Sequence, residues 1–275
     1  DDEDVWDDIH RSKAEVAWCW LKYSINLLAE YANICEGGKI ENVMESSAKL
    51  SEEHDVLVIE SKVPFSVTSF DEARKVFIFG QNQIKEAKLY YTLSDHANNY
   101  VQLVQDHSKL YKHLIPYEED LGRQSKMQKR RLDMLEDVLS KLNPQYYLAV
   151  CRQLRFELGE TYYELVDLKL KIMNSSTQGP VLATVKKINL LIMRCIDHFK
   201  SFIDSLKDRE GMLPDVFTDD LVRAALVAHF YLGCLFTKLI ESDTVKKLHN
   251  LSCSEENYRY ILEYSEKNPD HNIHI

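Results

Sequence analysis

The chain has 275 residues, a formal net charge of −10, and only 8 Gly and 6 Pro, where average usage would supply about 19 and about 14. So few turn residues exclude turn-rich all-β and doubly wound architectures and predict long helices. The acidic balance argues against general polyanion binding, so neither nucleic acid nor an anionic membrane surface is expected as a partner.

No apolar run approaches the ~18 residues of a bilayer span, so direct membrane insertion is not expected. The chain opens DDEDVWDD, with Asp where a start Met would stand and no legible signal peptide. That opening reads as a piece of a longer protein. Cys19, Cys35, Cys151, Cys195, Cys234 and Cys253 form no CxxC pair. Such dispersal fits reduced intracellular thiols, mostly buried. Cys195 and His198 have the i, i+3 spacing of metal ligands, but no second pair accompanies them, so a core Cys beside a boundary His is expected. HExxH, ExxH, GxGxxG, GxxxxGK[ST] and GxSxG are all absent. Glu52-Glu53-His54-Asp55 is the densest acid and His cluster, and reads as a solvated loop. No set of residues supplies nucleophile, base and orienting group together, so no catalysis, no cofactor and no metal is expected.

Apolar residues recur at helical spacing through most of the chain. The first stripe is Ala14, Ala17, Trp18, Leu21, Ile25, Leu28 and Ala32, ended by Gly37-Gly38. Residues 39–68 are polar, then carry the run Val56–Ile59, and read as an inserted loop. Ser69 is a plausible N-cap with Glu72 at the capping-box position. The stripe behind it is Ala73, Phe77, Gly80, Ile84, Ala87 and Tyr91, with Gly80 marking the close approach of a neighbouring helix. Residues 96–115 form the next helix, which Pro116 kinks or ends. Another runs to about Leu142. Asn143-Pro144 reads as a cap with Pro in the first turn of a long helix through Leu154, Leu158, Tyr162 and Leu165. Helices through Val185–Leu206 and Leu221–Leu239 follow, separated by the loop 207–218. A short final helix includes Tyr258, Ile261 and Leu262, and the tail 270–275 is expected to fray.

Eight or nine such helices with short connections form either a bundle or an α-solenoid. Leu158-Gly159-Glu160-Thr161-Tyr162 fits the LGxxY core of a tetratricopeptide first helix, and Leu232-Gly233-Cys234-Leu235-Phe236 fits LGxxF. In that pattern Gly admits the partner helix and the aromatic ring fills the space beside it. The copies are irregular and longer than the ~34-residue standard. The expected fold is all-α, a tetratricopeptide-like α-solenoid of antiparallel helix pairs, forming a single domain over residues 1–275.

Arg123, Lys126, Lys129, Arg130 and Arg131 make the most basic stretch, with Arg123, Lys126 and Arg130 at i, i+3, i+7 on one helix face. That face is either solvated or a contact for an acidic partner.

The run Phe70–Ala87 (FDEARKVFIFGQNQIKEA), the run Lys126–Glu136 (KMQKRRLDMLE) and the stretch Asn143–Leu170 resemble the KIF-binding protein family. The likeness extends over nearly the whole chain and is weakest in 39–68 and the tail. Family members are roughly twice this length, so the resemblance places the chain as a C-terminal half. It implies a tetratricopeptide-like solenoid that binds the motor domains of some kinesins and occludes their microtubule-binding surface, without chemistry. It also implies a cytoplasmic, cytoskeleton-associated protein with roles in axon growth and organelle transport. Electrostatics adds an expectation: a motor surface that docks on acidic tubulin is basic, and an acidic solenoid complements it. Glu52, Glu53 and Asp55 are the first candidate contacts, and Arg123, Lys126 and Arg130 face away or pair with acids on the motor. The alternative is a general tetratricopeptide scaffold for peptides, which would need Lys, Arg and Asn converging on its groove.

Overall fold

The computed structural model describes residues 2–35, 67–175 and 181–269, and among these it contains helices and turns but no strand. The elements are α1 (Asp2–Cys35), α2 (Phe70–Tyr90), α3 (Ala97–Leu114), a 3-10 turn (Ile115–Tyr117), α4 (Leu121–Lys141), α5 (Leu148–Asn174), α6 (Leu182–Asp204), α7 (Asp219–Lys238) and α8 (Thr244–Lys267). The chain divides into two compact units, Asp1–Met127 and Gln128–Ile275. The segment 36–66, with the inserted-loop expectation, and the tail 270–275 lie outside the described residues.

In the first unit α1 buries Ala14, Ala17, Leu21, Ile25 and Leu28 against α2 and α3. Each buried Leu or Ile contributes about 1.5–3 kcal/mol. The polar groups on that face are matched. Trp18 Nε1 donates to the Asp106 carboxylate of α3 at 2.8 Å, and Gln102 and Lys109 also reach that buried carboxylate. Further along, Tyr117 OH donates to Leu28 O at 3.2 Å. Contacts 18 to 106 and 28 to 117 advance together, so α1 and α3 run parallel, with α2 antiparallel to both.

The expected start of α2 is observed. Ser69 N–H donates to Glu72 Oε2 at 3.2 Å while Glu72 N–H donates to Ser69 Oγ at 3.3 Å, a complete capping box. Hydrogen bonds from Thr68 and Ser69 hold the Glu72 carboxyl below its ordinary range. The stripe Ala73, Phe77, Gly80, Ile84, Ala87 and Tyr91 is wholly buried. A Cβ on Gly80 would sit 3.0 Å from Leu110 and 3.3 Å from Ser24, so this Gly marks where α1 and α3 approach α2.

The second unit stacks α5 on α6, α6 on α7 and α7 on α8. Arg152 meets Ser205, Arg155 meets Ser201, and Gly159 meets Phe199, so α5 and α6 are antiparallel. Asn189 and Ile240, then Phe199 and Tyr231, pair in the same reversed order across α6 and α7. Gly233 with Ser254 and Phe217 with Tyr264 do so across α7 and α8. The fold is thus an all-α solenoid type built of antiparallel helix pairs.

Three readings change. Asn143-Pro144 does not begin α5. Asn143 Oδ1 accepts from Gln145 N–H at 3.0 Å and its carbonyl accepts from Tyr146 and Tyr147, forming a turn that delays the helix to Leu148. The final helix is long, not short. Its start at Thr244 is capped by Asp243, whose side chain accepts from Val245 and Lys246 N–H, and its weak apolar pattern follows from burying only Ser254 and Tyr264. Last, α7 is long and apolar enough by composition to cross a bilayer, although half of that window is buried within the protein.

Candidate partner-binding surface

Helix α5 carries a row of acidic side chains along one side. Glu157, Glu160, Glu164 and Asp167 recur at i, i+3, i+7 and i+10, which aligns them along one side of the helix. Two have ion-pair partners on neighbouring helices. Glu164 Oε2 accepts from Arg131 at 2.6 Å and from Gln128 at 2.8 Å. Asp167 pairs with Lys238 of α7, whose ammonium also lies 4.5 Å over the Tyr163 ring.

Aromatic rings flank this row. Tyr163 and Tyr231 meet at 4.9 Å, and Tyr231 stacks on Phe199 at 4.9 Å and 15°. Burial, with the nearby charges of Glu160 and Glu164, pushes the Tyr231 hydroxyl up to about 12. Tyr162 is also raised to about 12 by burial and by its hydrogen bond to Glu136. Both stay protonated near neutrality, so they serve as hydrogen-bonding and packing groups and not as bases. His198 stacks on Tyr162 at 5.4 Å, and burial lowers its pKa. The side of α5 thus combines packed rings with two carboxylates, Glu164 and Asp167, that are held by cations from neighbouring helices.

Of the residues singled out from sequence, Glu52, Glu53 and Asp55 lie outside the described residues. Arg123, Lys126 and Arg130 are all exposed along α4. Arg123 pairs with Glu118 at 3.5 Å. Cys195 and His198 have separate partners: Cys195 Sγ donates to Gly159 O at 3.1 Å, while His198 lies on Tyr162. Among the described residues no group of three or more His, Cys, Asp or Glu side chains could hold a metal ion.

Arg131 was missed as a separate case. It belongs to the basic stretch by sequence, yet it is 2% exposed and tied to Gln128 and Glu164. The available signal was its place one residue before Leu132, on the side of α4 that continues through Leu135 and Val138. Asn189 was missed as well. Its amide donates to Ile240 O at 2.8 Å and accepts from Ile240 N–H at 3.0 Å, clamping the chain just past α7.

Comparison with known proteins assigns the family. The model described as KIF-1 binding protein C terminal matches residues 1–275. A KIF-binding protein of Gallus gallus is 39% identical over 288 residues, covering 96% of this chain and 48% of that protein. The Homo sapiens KIF-binding protein is 35% identical over 286 residues, covering 95% and 46%. A solved structure of Kinesin binding protein (KBP) covers 96% of this chain and 54% of its own at 30% identity, with a TM-score of 0.55. A cryo-EM structure of KIFBP gives 0.61, also at 30% identity, over 95% of this chain and 54% of its own. The chain therefore spans about half the length of the curated relatives it matches. It belongs to the KIF-1 binding protein C-terminal family.

Proposed function

We propose that the protein is a non-enzymatic kinesin-binding adaptor that seats on kinesin motor domains and covers the surface with which they grip microtubules. The observation that carries this reading is the match of the family model along all 275 residues, with relatives named KIF-binding protein at up to 39% identity among those compared. The charge supports it: a chain of net charge −10 complements a basic, tubulin-docking surface, and gains mostly in association rate and specificity. Residues 1–275 act as one solenoid domain in this reading, in the cytoplasm and on the cytoskeleton, and the consequence is regulation of axonal and organelle transport.

Contacts are assigned to Glu52, Glu53 and Asp55, with Arg123, Lys126 and Arg130 either turned away or paired to acids on the motor. Reversing the three acids to Lys in the full-length protein tests both the partner and the contact. The reading expects slower association with an isolated kinesin motor domain and a shallower salt dependence. Unchanged association and salt dependence would remove these acids from the interface. Absence of any binding by the unmodified protein would remove the kinesin assignment itself.

A further inference from the structure

The loop between α6 and α7 is fixed by its own hydrogen bonds. Asp208 N–H donates to Met212 O at 2.9 Å, Gly211 N–H donates to Asp208 O at 3.2 Å, and Met212 N–H donates to the Asp208 carboxylate at 2.8 Å. Gly211 takes a φ of 81°, a conformation that a Cβ would strain. Phe217 N–H donates to Tyr264 OH at 3.0 Å and fastens the end of the loop to α8.

Between this loop and the C-terminal half of α8 lies a cavity of about 350 Å³, within the usual size of small-ligand sites. One wall belongs to an aromatic series. His229 stacks on Tyr260 at 4.1 Å, Tyr260 on Tyr264 at 6.5 Å, and Tyr264 meets Phe217 at 5.4 Å. Met212, Leu213 and Pro214 add an apolar part of the lining.

The charges of the lining are unequal in their compensation. Lys207 is paired with Asp204 at 2.7 Å. Asp215 and Glu263 are exposed, and no described residue donates a hydrogen bond or ion pair to either. Lys267 stands in the last turn of α8, where a cation is held by the helix terminus. The cavity therefore offers two carboxylates that no described residue pairs, tyrosine rings and an aliphatic wall. An anionic guest would meet those two carboxylates, with Lys267 and the already paired Lys207 in its favour.

We propose that this cavity receives an arginine side chain from a partner protein. The guanidinium pairs with Asp215 and Glu263 and lies against the tyrosine rings, while its aliphatic stem runs along Met212 and Leu213. The loop is already closed before the guest arrives, so little ordering cost is added on binding. None of these residues enters the kinesin reading above, and the two stand or fall separately.

The test is a nitrogen-15 NMR titration of the full chain with the capped tripeptide acetyl-Gly-Arg-Gly-amide, and in parallel with acetyl-Gly-Glu-Gly-amide. The expected result is a saturable shift at the amides of Tyr260, Glu263, residues 211–213 and Asp215 with the Arg peptide alone. In Asp215→Asn/Glu263→Gln the affinity drops by about tenfold or more, with an unchanged thermal midpoint because both side chains are exposed. Lys267→Gln binds the Arg peptide as well or better. Absence of saturation up to about 10 mM peptide, equal binding of the Glu peptide, or an affinity unaffected by the double substitution would overturn the proposal.

Discussion

Gly159 of α5 and Phe199 of α6 occupy the same space: a Cβ on Gly159 would lie 2.6 Å from Phe199 Cζ. Gly233 and Tyr258 repeat this relationship across α7 and α8, also at 2.6 Å. Both glycines belong to the LGxx-aromatic pattern, so a helix-interior Gly, which costs ~1 kcal/mol relative to Ala, is retained for close packing.

The two sites differ in what can yield. Phe199 is fully buried, between Phe156 and Tyr231, whereas Tyr258 is half-buried and so has more room to yield. Gly159→Ala is expected to destabilise by about 1–3 kcal/mol, and Gly233→Ala by less, with some of its cost returned by helix propensity. Urea unfolding of both variants ranks them. Equal costs, or a stabilised Gly159→Ala, would contradict the packing account.

Arg131 and Glu164 make a largely buried ion pair in the second unit, at 2.6 Å with side-chain exposures of 2% and 32%. Removing one partner strands a charge. Glu164→Leu is expected to cost about 3 kcal/mol, and Arg131→Met a comparable amount through lost packing and lost bonds. The double variant costs less than the two singles together, because it leaves no buried charge unpaired. Additive costs in a double-mutant cycle would show that the pair is not coupled.

Three half-buried histidines predict a pH dependence. Burial, with Lys88 nearby, holds His107 at about 4 against an ordinary 6.5, and burial likewise lowers His198 and His229. Above 6.5 these groups are neutral in both states. As pH falls below 6.5 the unfolded chain takes up protons that the folded chain refuses, so stability declines until about pH 4 for His107. His107 contributes up to about 3 kcal/mol of this loss. Denaturation midpoints at pH 7.5 and pH 5.5 measure the effect, and His107→Gln should reduce the difference. Identical midpoints for the natural chain at both values would refute it.

Asn189 supplies a fourth case. Its two bonds to Ile240 are both to backbone, so Asn189→Ala leaves a half-buried N–H and carbonyl unmatched, at a cost of about 1–3 kcal/mol. Local hydrogen exchange at Ile240 should rise with it. Unaltered exchange would mean that water replaces the side chain without loss.

The helices and their buried faces were legible because the chain repeats apolar residues at helical spacing and seldom uses Gly or Pro. The capping box at Ser69 and the packing roles of Gly80, Gly159 and Gly233 could be read because each has a local signature. What could not be read depended on partners distant in sequence. Arg131 reads as surface until Glu164, 33 positions away, is placed beside it. The alignment of acids on α5 is visible as spacing, but the flanking rings of Tyr163 and Tyr231 are not. Helix α8 was underestimated since it spends few apolar residues on burial, and the Asn143 turn since a capping motif and a free turn share the same residues.

The central claim, occlusion of the kinesin motor, is tested most directly by microtubule co-sedimentation. An isolated kinesin motor domain is mixed with microtubules and increasing amounts of the full-length protein. The account predicts that the motor moves progressively from the pellet to the supernatant, together with the added protein. A motor that remains on microtubules at saturating protein, whether or not the protein pellets with it, would contradict the account.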